Sequence, residues 1–599
     1  MSKLRYRVGA SAPSTHLFDV TIDVPQIARQ TIQLELPVWI PGSYMVRDYA
    51  RHVVNLSARE ENGDSTAVTR VGKSRWSVAS AGQAVQISMT VYGWDLSVRG
   101  AHLDQSHAYF NGACLLPRVD GMDDATHLLT VERPAGLPTE AIVATSMRPI
   151  DIDGAGFGEY VADEYDELID HPFEIAVQQC VEFEAAGIPH RFFLRGAPTF
   201  DHTRLAEDCT RICAHHHTLL GTPQELDRYV FLAYALDQGY GGLEHRWASS
   251  LAISRSALPQ PFGQTDEKAY RTLLGLISHE YFHLWNVKRL KPAAFVPMDL
   301  SREVHTELLW VFEGITSYYD DLGLVRAGVI SPDEYLVLLA QNLTRILRTP
   351  GRHQQPVGES SFDAWTKFYK QDENAPNAII SYYAKGALVA LALDLMLRRD
   401  TSTTLDDVMR ECWQRFYLNG GSGMPEDGLE CVASELAGQS LQSFFDHAVR
   451  GTDDIDIAAL FDSVGVRYEV QAATGADDAG GVAADSGHYH AYMGLRLDPR
   501  QPGRIATVIN DSPAAHAGLS ANDVLVAVDH QKIDRAGLDR LLRLSEPGAQ
   551  VRVHAFRRDE LITTNLTLSA PPLDTVALSL RDDVKATTES RRDAWLRYR

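Results

Sequence analysis

The hydrophobic pattern changes period twice along the chain. From residue 1 to about 170, apolar and polar positions alternate in short runs, among them LFDVTIDV, TIQLELPVW, HVVNLSAR and AVQISMTVYGW, with turn residues between them. Alternation with period two puts one face of a strand in a core and the other in water, so this stretch predicts an N-terminal all-β sandwich. Beyond it, RFFLRG and RYVFLAYALD read as strands, with HTRLAEDCTRICAHHHTLL between them as a helix. From 265 to 460 apolar positions recur at helical spacing. Ser331 followed by Pro332 marks one helix start, and Thr404 with Asp407 forms a capping-box pattern at another. Residues 171–465 thus predict an α+β domain with a helical extension. At 472–487 the sequence becomes AATGADDAGGVAADSG, small and acidic without periodicity, which predicts a flexible linker. Residues 488–572 return to strand-like segments around one short helix. The tail, 573–599, ends in the basic RRDAWLRYR and is expected to be loose.

The chain has 599 residues, 45% of them hydrophobic, and a formal net charge of −23. Several cores are affordable at that size, and an acidic surface disfavours nucleic acid and anionic membranes as partners. No stretch approaches the ~18 apolar residues of a membrane span, and the N-terminus has no apolar run of signal-peptide length. A cytoplasmic location is expected. Six cysteines are too few for a disulfide framework. Cys209 and Cys213, followed by His215, His216 and His217, have metal-ligand character, but the segment reads better as an amphipathic helix.

The chemistry starts at LISHEYFHLWNVKR, residues 276–289. On a helix opened by Thr265 or Asp266 and stopped before Pro292, Leu273, Leu274, Ile277 and Leu284 form a core-facing stripe. Positions four apart lie about 40° from one another, so His279 and His283 point the same way and can share one ion. Glu280 lies about 100° round from His279, placed to reach a water on that ion instead of joining the ligand set.

A zinc site of this kind needs a third ligand, and Glu303, Glu307 and Glu313 follow. Glu313 sits in ELLWVFEGITSYYDD among apolar and aromatic neighbours, where a carboxylate needs a charged partner. Glu307 falls on another face of the same helix. Two histidines and Glu313 would hold one Zn2+ per chain and leave a fourth position for water. With Glu280 as the base, peptide hydrolysis is the natural reaction.

Two further segments bear on the substrate. In DQGYGGLEHRW, Gly241 and Gly242 permit close approach of a ligand to backbone, and Glu244 could hold a substrate α-ammonium. In IISYYAKGALVALALDLML, Tyr382 and Tyr383 open an apolar helix; a hydroxyl there could steady an oxyanion, or both rings could simply pack.

Four motifs now stand in order: Gly-Gly-Leu-Glu-His at 241–245, His-Glu-Tyr-Phe-His at 279–283, Trp-Val-Phe-Glu-Gly at 310–314 and Tyr-Ala-Lys-Gly at 383–386. Together they resemble the gluzincin aminopeptidases, whose pattern is G-x-M-E-N, H-E-x-x-H, W-x-x-E-G and Y-x-K-G. His245 replaces the asparagine, and the spacing from His283 to Glu313 is longer than in aminopeptidase N. In those departures, and in LPVWIPGSYMVRDYAR and HEYFHLWNVKRL, the chain resembles the glycyl aminopeptidase family. That family joins a thermolysin-like zinc peptidase domain to a PDZ domain. The resemblance implies His279, His283 and Glu313 as zinc ligands, Glu280 as base, Glu244 as the amine holder and Tyr383 as transition-state stabiliser. It also implies a preference for N-terminal glycine or alanine.

The C-terminal stretch GRIATVINDSPAAHAGLSANDVLVAVDHQKI resembles a PDZ domain of bacterial proteases. By that likeness Tyr492, Met493, Gly494 and Leu495 form the loop that receives a peptide C-terminal carboxylate, and the groove edge pairs with that peptide as a strand. The alternative is a PDZ fold that only packs on the catalytic domain. For the whole chain, the alternatives to an aminopeptidase are a thermolysin-type endopeptidase and a peptide-binding adaptor without turnover. The N-terminal domain is expected to wall one side of the cleft.

Overall fold

The computed structural model describes residues 3–197 and 199–597. The chain divides into two compact units, Met1–Val304 with Gly421–Gly423, and His305–Gly420 with Met424–Arg599.

The first unit begins with a β-rich domain of one eight-stranded and two four-stranded sheets. The alternation seen in the sequence is what builds it. In Lys3–Gly9, for example, Leu4, Tyr6 and Val8 are buried and the intervening residues exposed, so one face joins a core shared with Ile22, Leu34, Ile87 and Phe110. The β-rich part runs on through Phe173–Ala176, which pairs with His107–Phe110.

A five-stranded sheet follows, in the order Gln179–Ala185, Ile188–Arg195, Tyr229–Leu236, Ala248–Ser254, Tyr240–Glu244. Its three middle strands are parallel. The crossover between the first two of these is the helix His202–Leu220, the βαβ solution for parallel neighbours. Tyr229–Leu236 is buried along almost its whole length, as a strand covered on both faces must be. The antiparallel edge strand Tyr240–Glu244 carries the Gly-Gly-Leu-Glu motif.

The helix bearing His279 spans Glu267–Phe282, with the Asp266 side chain accepting from the Ala269 N–H as its cap. Leu273, Leu274, Ile277 and Leu284 are all buried. The helix ends at Phe282 with His283 as its C-cap, earlier than the expected stop at Pro292. The cause is in the next residues. Trp285 is buried and its indole N–H donates to the Gly221 carbonyl, Arg289 donates to the carbonyls of Leu284 and Arg246, and Val287 takes φ 109°. These side chains anchor a compact turn to other segments, and the last helix carbonyls are taken within it: the Leu284 N–H donates to Tyr281 and the Trp285 and Asn286 N–H groups to Phe282.

The Cys209–His217 segment is helix, as expected, and its histidines fasten this motif helix from behind. His216 Nε2 lies 2.9 Å from the Ser278 hydroxyl, and His217 Nε2 lies 2.8 Å from the Tyr281 hydroxyl.

The second unit is mostly helical, and its C-terminal part is a small β domain. Thr404 forms the capping box the sequence predicts, with Asp407, and Ser331, predicted as an N-cap, forms one as well, with Glu334. A wide, π-type turn at Trp310–Gly314 runs into the helix Ile315–Arg326. The helix Ala384–Asp400 crosses it so closely that a Cβ on Gly314 would lie 2.6 Å from the Gly386 Cα. Glycine at both positions is what permits that crossing.

Two expectations for this unit fail. The 472–487 segment is not a free linker: Asp478 accepts from the Thr474 and Gly480 N–H groups, and its carbonyl accepts from Arg348. Val466–Gln471, just before it, pairs with Thr575–Leu580 after the C-terminal domain, so both ends of that domain are tied together. Nor is the tail loose. Ala586–Leu596 is a helix with Trp595 fully buried, its indole N–H donating to the Tyr318 hydroxyl. Tyr598 and Arg599 lie outside the described residues. Local composition made both segments look mobile; side chains elsewhere, Arg348 and Tyr318, hold them.

The C-terminal domain has its own core of Ala491, Met493, Ile505, Leu525 and Val553. It carries two helices, Pro513–His516 and Arg535–Leu544, where one was expected. Among the described residues no helix is long and apolar enough to cross a membrane.

Candidate active site

The first unit brings His279, Glu280, His283, Gly242 and Glu244 together. The Nε2 atoms of His279 and His283 are 3.2 Å apart. Nδ1 of His283 lies 2.8 Å from the Asn286 carbonyl, a contact that requires the proton on Nδ1 and makes Nε2 the nitrogen that can ligate. Ligand nitrogens about 2.0–2.1 Å from a tetrahedral zinc are separated by roughly this distance, so the pair fits the ion.

Glu280 is almost fully buried on the same helix. Its carboxylate rests against the edge strand: a Cβ on Gly242 would lie 2.1 Å from Glu280 Oε1. Two residues along that strand, Glu244 is 3% exposed, and its Oε1 has no hydrogen-bond partner among the described residues. A buried carboxylate oxygen left open at the end of an edge strand is a ready acceptor for an incoming ammonium group.

The N-terminal domain supplies two contacts that the sequence did not signal as chemistry. Gly42, at φ 94°, sits so near Glu244 that a Cβ there would be 2.4 Å from Oε1 and 2.5 Å from Oε2. Arg99 donates to the Gly242 carbonyl at 2.9 Å. Gly42 belongs to the VWIPGSY stretch; a glycine after proline was the available signal, but it reads equally as a plain turn.

His245, which departs from the aminopeptidase N pattern, is held by Asp170. Its Nδ1 lies 3.1 Å from Asp170 Oδ1, the Arg246 N–H donates to Oδ2, and Lys288 Nζ donates to Oδ1 at 2.7 Å. Burial pushes the Asp170 carboxyl up, but Lys288 and His245 outweigh it and hold it well below the usual carboxylate range. Burial lowers His245, so its imidazole is neutral.

The second unit brings Glu313 and Tyr383 into electrostatic contact. Glu313 is 2% exposed in the π-type turn. Tyr382 is fully buried, whereas Tyr383 is only partly so. Burial, and then the Glu313 charge, push the Tyr383 phenol well above its ordinary value, so it stays protonated. Its oxygen lies 2.9 Å from that of Tyr369, a neighbour the sequence did not single out.

In the C-terminal domain, Tyr492 to Leu495 lead into the strand Leu495–Leu497. Gly494 takes φ 81°, and a Cβ there would lie 2.1 Å from that of Ser512. The domain is fastened within its own unit. The Asn377 amide donates to the Val508 carbonyl and accepts from the Asn510 N–H, and Arg496 donates to the Arg348 carbonyl.

Comparisons with known proteins identify the domains. The M61 N-terminal domain model matches residues 5–177, the M61 glycyl aminopeptidase model 272–389, and the PDZ domain model 491–568. No curated protein sequence matches. A crystal structure of an aminopeptidase N family protein from Idiomarina loihiensis is similar along the whole length, with 38% identity, 99% of this chain and 100% of that chain covered, and a TM-score of 0.94. An M1 zinc metallopeptidase from Deinococcus radiodurans matches at 13% identity over 76% of this chain and 94% of that one, with a TM-score of 0.46. On the family models and the full-length likeness, the chain belongs to the M61 glycyl aminopeptidase family of metallopeptidases, with a C-terminal PDZ domain.

Proposed function

We propose that this protein is a zinc-dependent aminopeptidase that removes small N-terminal residues, glycine or alanine, from peptides. The observation that carries the exopeptidase reading is Glu244: a buried carboxylate with an open oxygen, two residues along the strand from the backbone that abuts Glu280.

His279, His283 and Glu313 are the residues that would hold one zinc ion. Support comes from the paired Nε2 atoms of the histidines and from the burial of the Glu313 carboxylate in the third motif. Zinc in such a set polarises a peptide carbonyl and acidifies water. Glu280 takes the proton of the attacking water and passes it to the leaving amine. Glu244 holds the α-ammonium of the first residue, which fixes the scissile bond one residue in. Tyr383, protonated, donates to the oxygen that becomes negative on the carbonyl carbon. Gly241 and Gly242 leave room for the substrate backbone. The glycine or alanine preference is supported by the family's character. Tyr492, Met493, Gly494 and Leu495 would receive a peptide C-terminus at the PDZ groove. All six cysteines are free, which suits a reducing, cytoplasmic setting.

The deciding experiment is a panel of aminoacyl substrates offered to wild type and Glu280→Gln, with and without chelator. Release of glycine and alanine that chelator abolishes and zinc restores, absent in Glu280→Gln, is the expected result. Full turnover in Glu280→Gln, or equal cleavage of N-acetylated peptides, overturns the reading.

A further inference from the structure

A second cluster of metal-ligand residues lies in the β-rich domain, on the hairpin formed by Ala101–Leu103 and His107–Phe110. One nitrogen of His102, one nitrogen of His107 and one carboxylate oxygen of Asp104 all lie within 4.8 Å of one another. All three belong to the first unit, and none takes part in the chemistry proposed above.

Ordinary hairpin packing leaves this cluster unexplained. His107 is 0% exposed and His102 6%. The two rings stack, with centroids 5.1 Å apart, and His102 also stacks on Trp94. Each ring turns one nitrogen to a carboxylate: His102 Nε2 lies 3.1 Å from Asp104 Oδ2, and His107 Nε2 lies 2.7 Å from Glu174 Oε1. Glu174 is itself 3% exposed. The other nitrogen, Nδ1, is buried in both rings with no hydrogen-bond partner among the described residues. Two imidazole nitrogens shut away from water without partners are costly, and a core that needed only packing would be better served by apolar residues. His107, backed by the Glu174 carboxylate, has the arrangement in which an oriented histidine binds a metal, and His102 stacks beside it facing the Asp104 carboxylate that would share the ion.

We propose that His102, His107 and Asp104 bind a divalent transition-metal ion of the zinc type, with Glu174 orienting His107. Imidazole and carboxylate donors suit that class, and two carboxylates balance its charge. Ligands of a tetrahedral zinc stand about 3.3 Å apart, so the donors draw together by no more than roughly 1.5 Å. The Asp104–His107 turn is where that movement occurs; Asp104, held by the Ser106 N–H and hydroxyl, is partly open to solvent and gives the ion its way in. The ion would close the hairpin tip in the domain that supplies Gly42 and Arg99.

The test removes the proposed catalytic site and asks whether metal binding persists. Metal-stripped His279→Ala/His283→Ala protein is titrated with Zn2+ by calorimetry and with Co2+ by visible absorption. Retention of one equivalent is expected, together with a rise in melting temperature on loading. Adding His102→Asn, or separately the milder Asp104→Asn, should weaken that binding at least tenfold, with circular dichroism confirming that the variants fold. No metal bound in the double-alanine protein overturns the proposal. So does an equivalent that survives both further substitutions. Neither result bears on the aminopeptidase assignment, which the substrate panel decides.

Discussion

Glu280 and Gly242 touch across the gap between helix and strand, so that a single methyl on Gly242 would lie 2.1 Å from the Glu280 carboxylate oxygen. The proposed base is therefore positioned by an absent side chain. Gly242→Ala should push Glu280 out of line while leaving His279 and His283 in place. A displacement of about 1 Å at a reacting group costs on the order of 100-fold in rate. The expected outcome is a drop in kcat of that order with metal content unchanged. Metal analysis beside steady-state kinetics separates this from loss of the metal site.

Gly42 stands in the same relation to Glu244, from a different domain. Any side chain at position 42 meets both carboxylate oxygens, and φ 94° is strained for a residue other than glycine. Gly42→Ala and Glu244→Ala should therefore share a phenotype: KM for free-amine peptides rises tenfold or more, and the preference over N-acetylated peptides collapses. If Glu244→Ala keeps that preference, Glu244 does not hold the amine.

How much of this could be read in the sequence follows from the range of each interaction. His279 and His283 are one helical turn apart, so local spacing already fixes their common direction. The capping residues Ser331 and Thr404 act within three positions and were legible for the same reason. Gly42 and Glu244 are some two hundred residues apart, and no periodicity connects them. Trp595 reads as one aromatic in a basic tail until Tyr318 is placed beside it. His245 shows as a departure from a family pattern, but its reason, the buried Asp170 and Lys288, lies on two other segments. The helix stop at Phe282 was missed because Trp285 and Arg289 end it through contacts outside the helix.

Tyr383 should contribute in the transition state and little in the ground state. Its phenol stays protonated across the working range because burial and Glu313 push it up. Tyr383→Phe removes only the donor. Loss of one such donor costs about 100- to 1000-fold in kcat. KM should change little, and no new alkaline limb should appear in the pH–rate profile of the variant. A Tyr383→Phe enzyme with wild-type kcat would reassign the hydroxyl to packing with Tyr369.

Lys291 offers a pH test of stability. It lines a small cavity with Trp39, Tyr44, Asp170 and Lys288. Burial first, then the charges of Arg246 and Lys288, lower its ammonium from 10.5 to about 7. Below pH ~7 the lysine is charged in both folded and unfolded chains, and the fold bears the full cost of that buried charge. Between about 7 and 10.5 the unfolded chain holds the proton and the folded chain does not, so this group's contribution to stability rises with pH. Lys291→Met should be more stable than wild type at neutral pH and below. The difference should shrink as pH climbs towards 10, by a few kcal/mol at most. Urea unfolding of both proteins from pH 6 to 10 reads this directly, and a pH-independent difference would mean that Lys291 stays charged in the fold.

The C-terminal helix makes the last prediction, because it converts a tail into part of the second unit's core. Trp595 is fully buried, its N–H donates to Tyr318, and its carbonyl accepts from Arg326. Arg326 in turn pairs with Asp406, and Arg398 joins Asp406 to Asp394. Removing the indole opens a cavity and leaves the Tyr318 end of this buried network short of a partner. Truncations of this kind cost about 3–5 kcal/mol. Trp595→Ala should lower the denaturant midpoint accordingly without changing KM at low temperature, since none of these groups touches the proposed substrate path. Trp595→Phe, which keeps most of the volume but loses the donor, should fall between the two. An unchanged midpoint in Trp595→Ala would show that the helix is detached in solution.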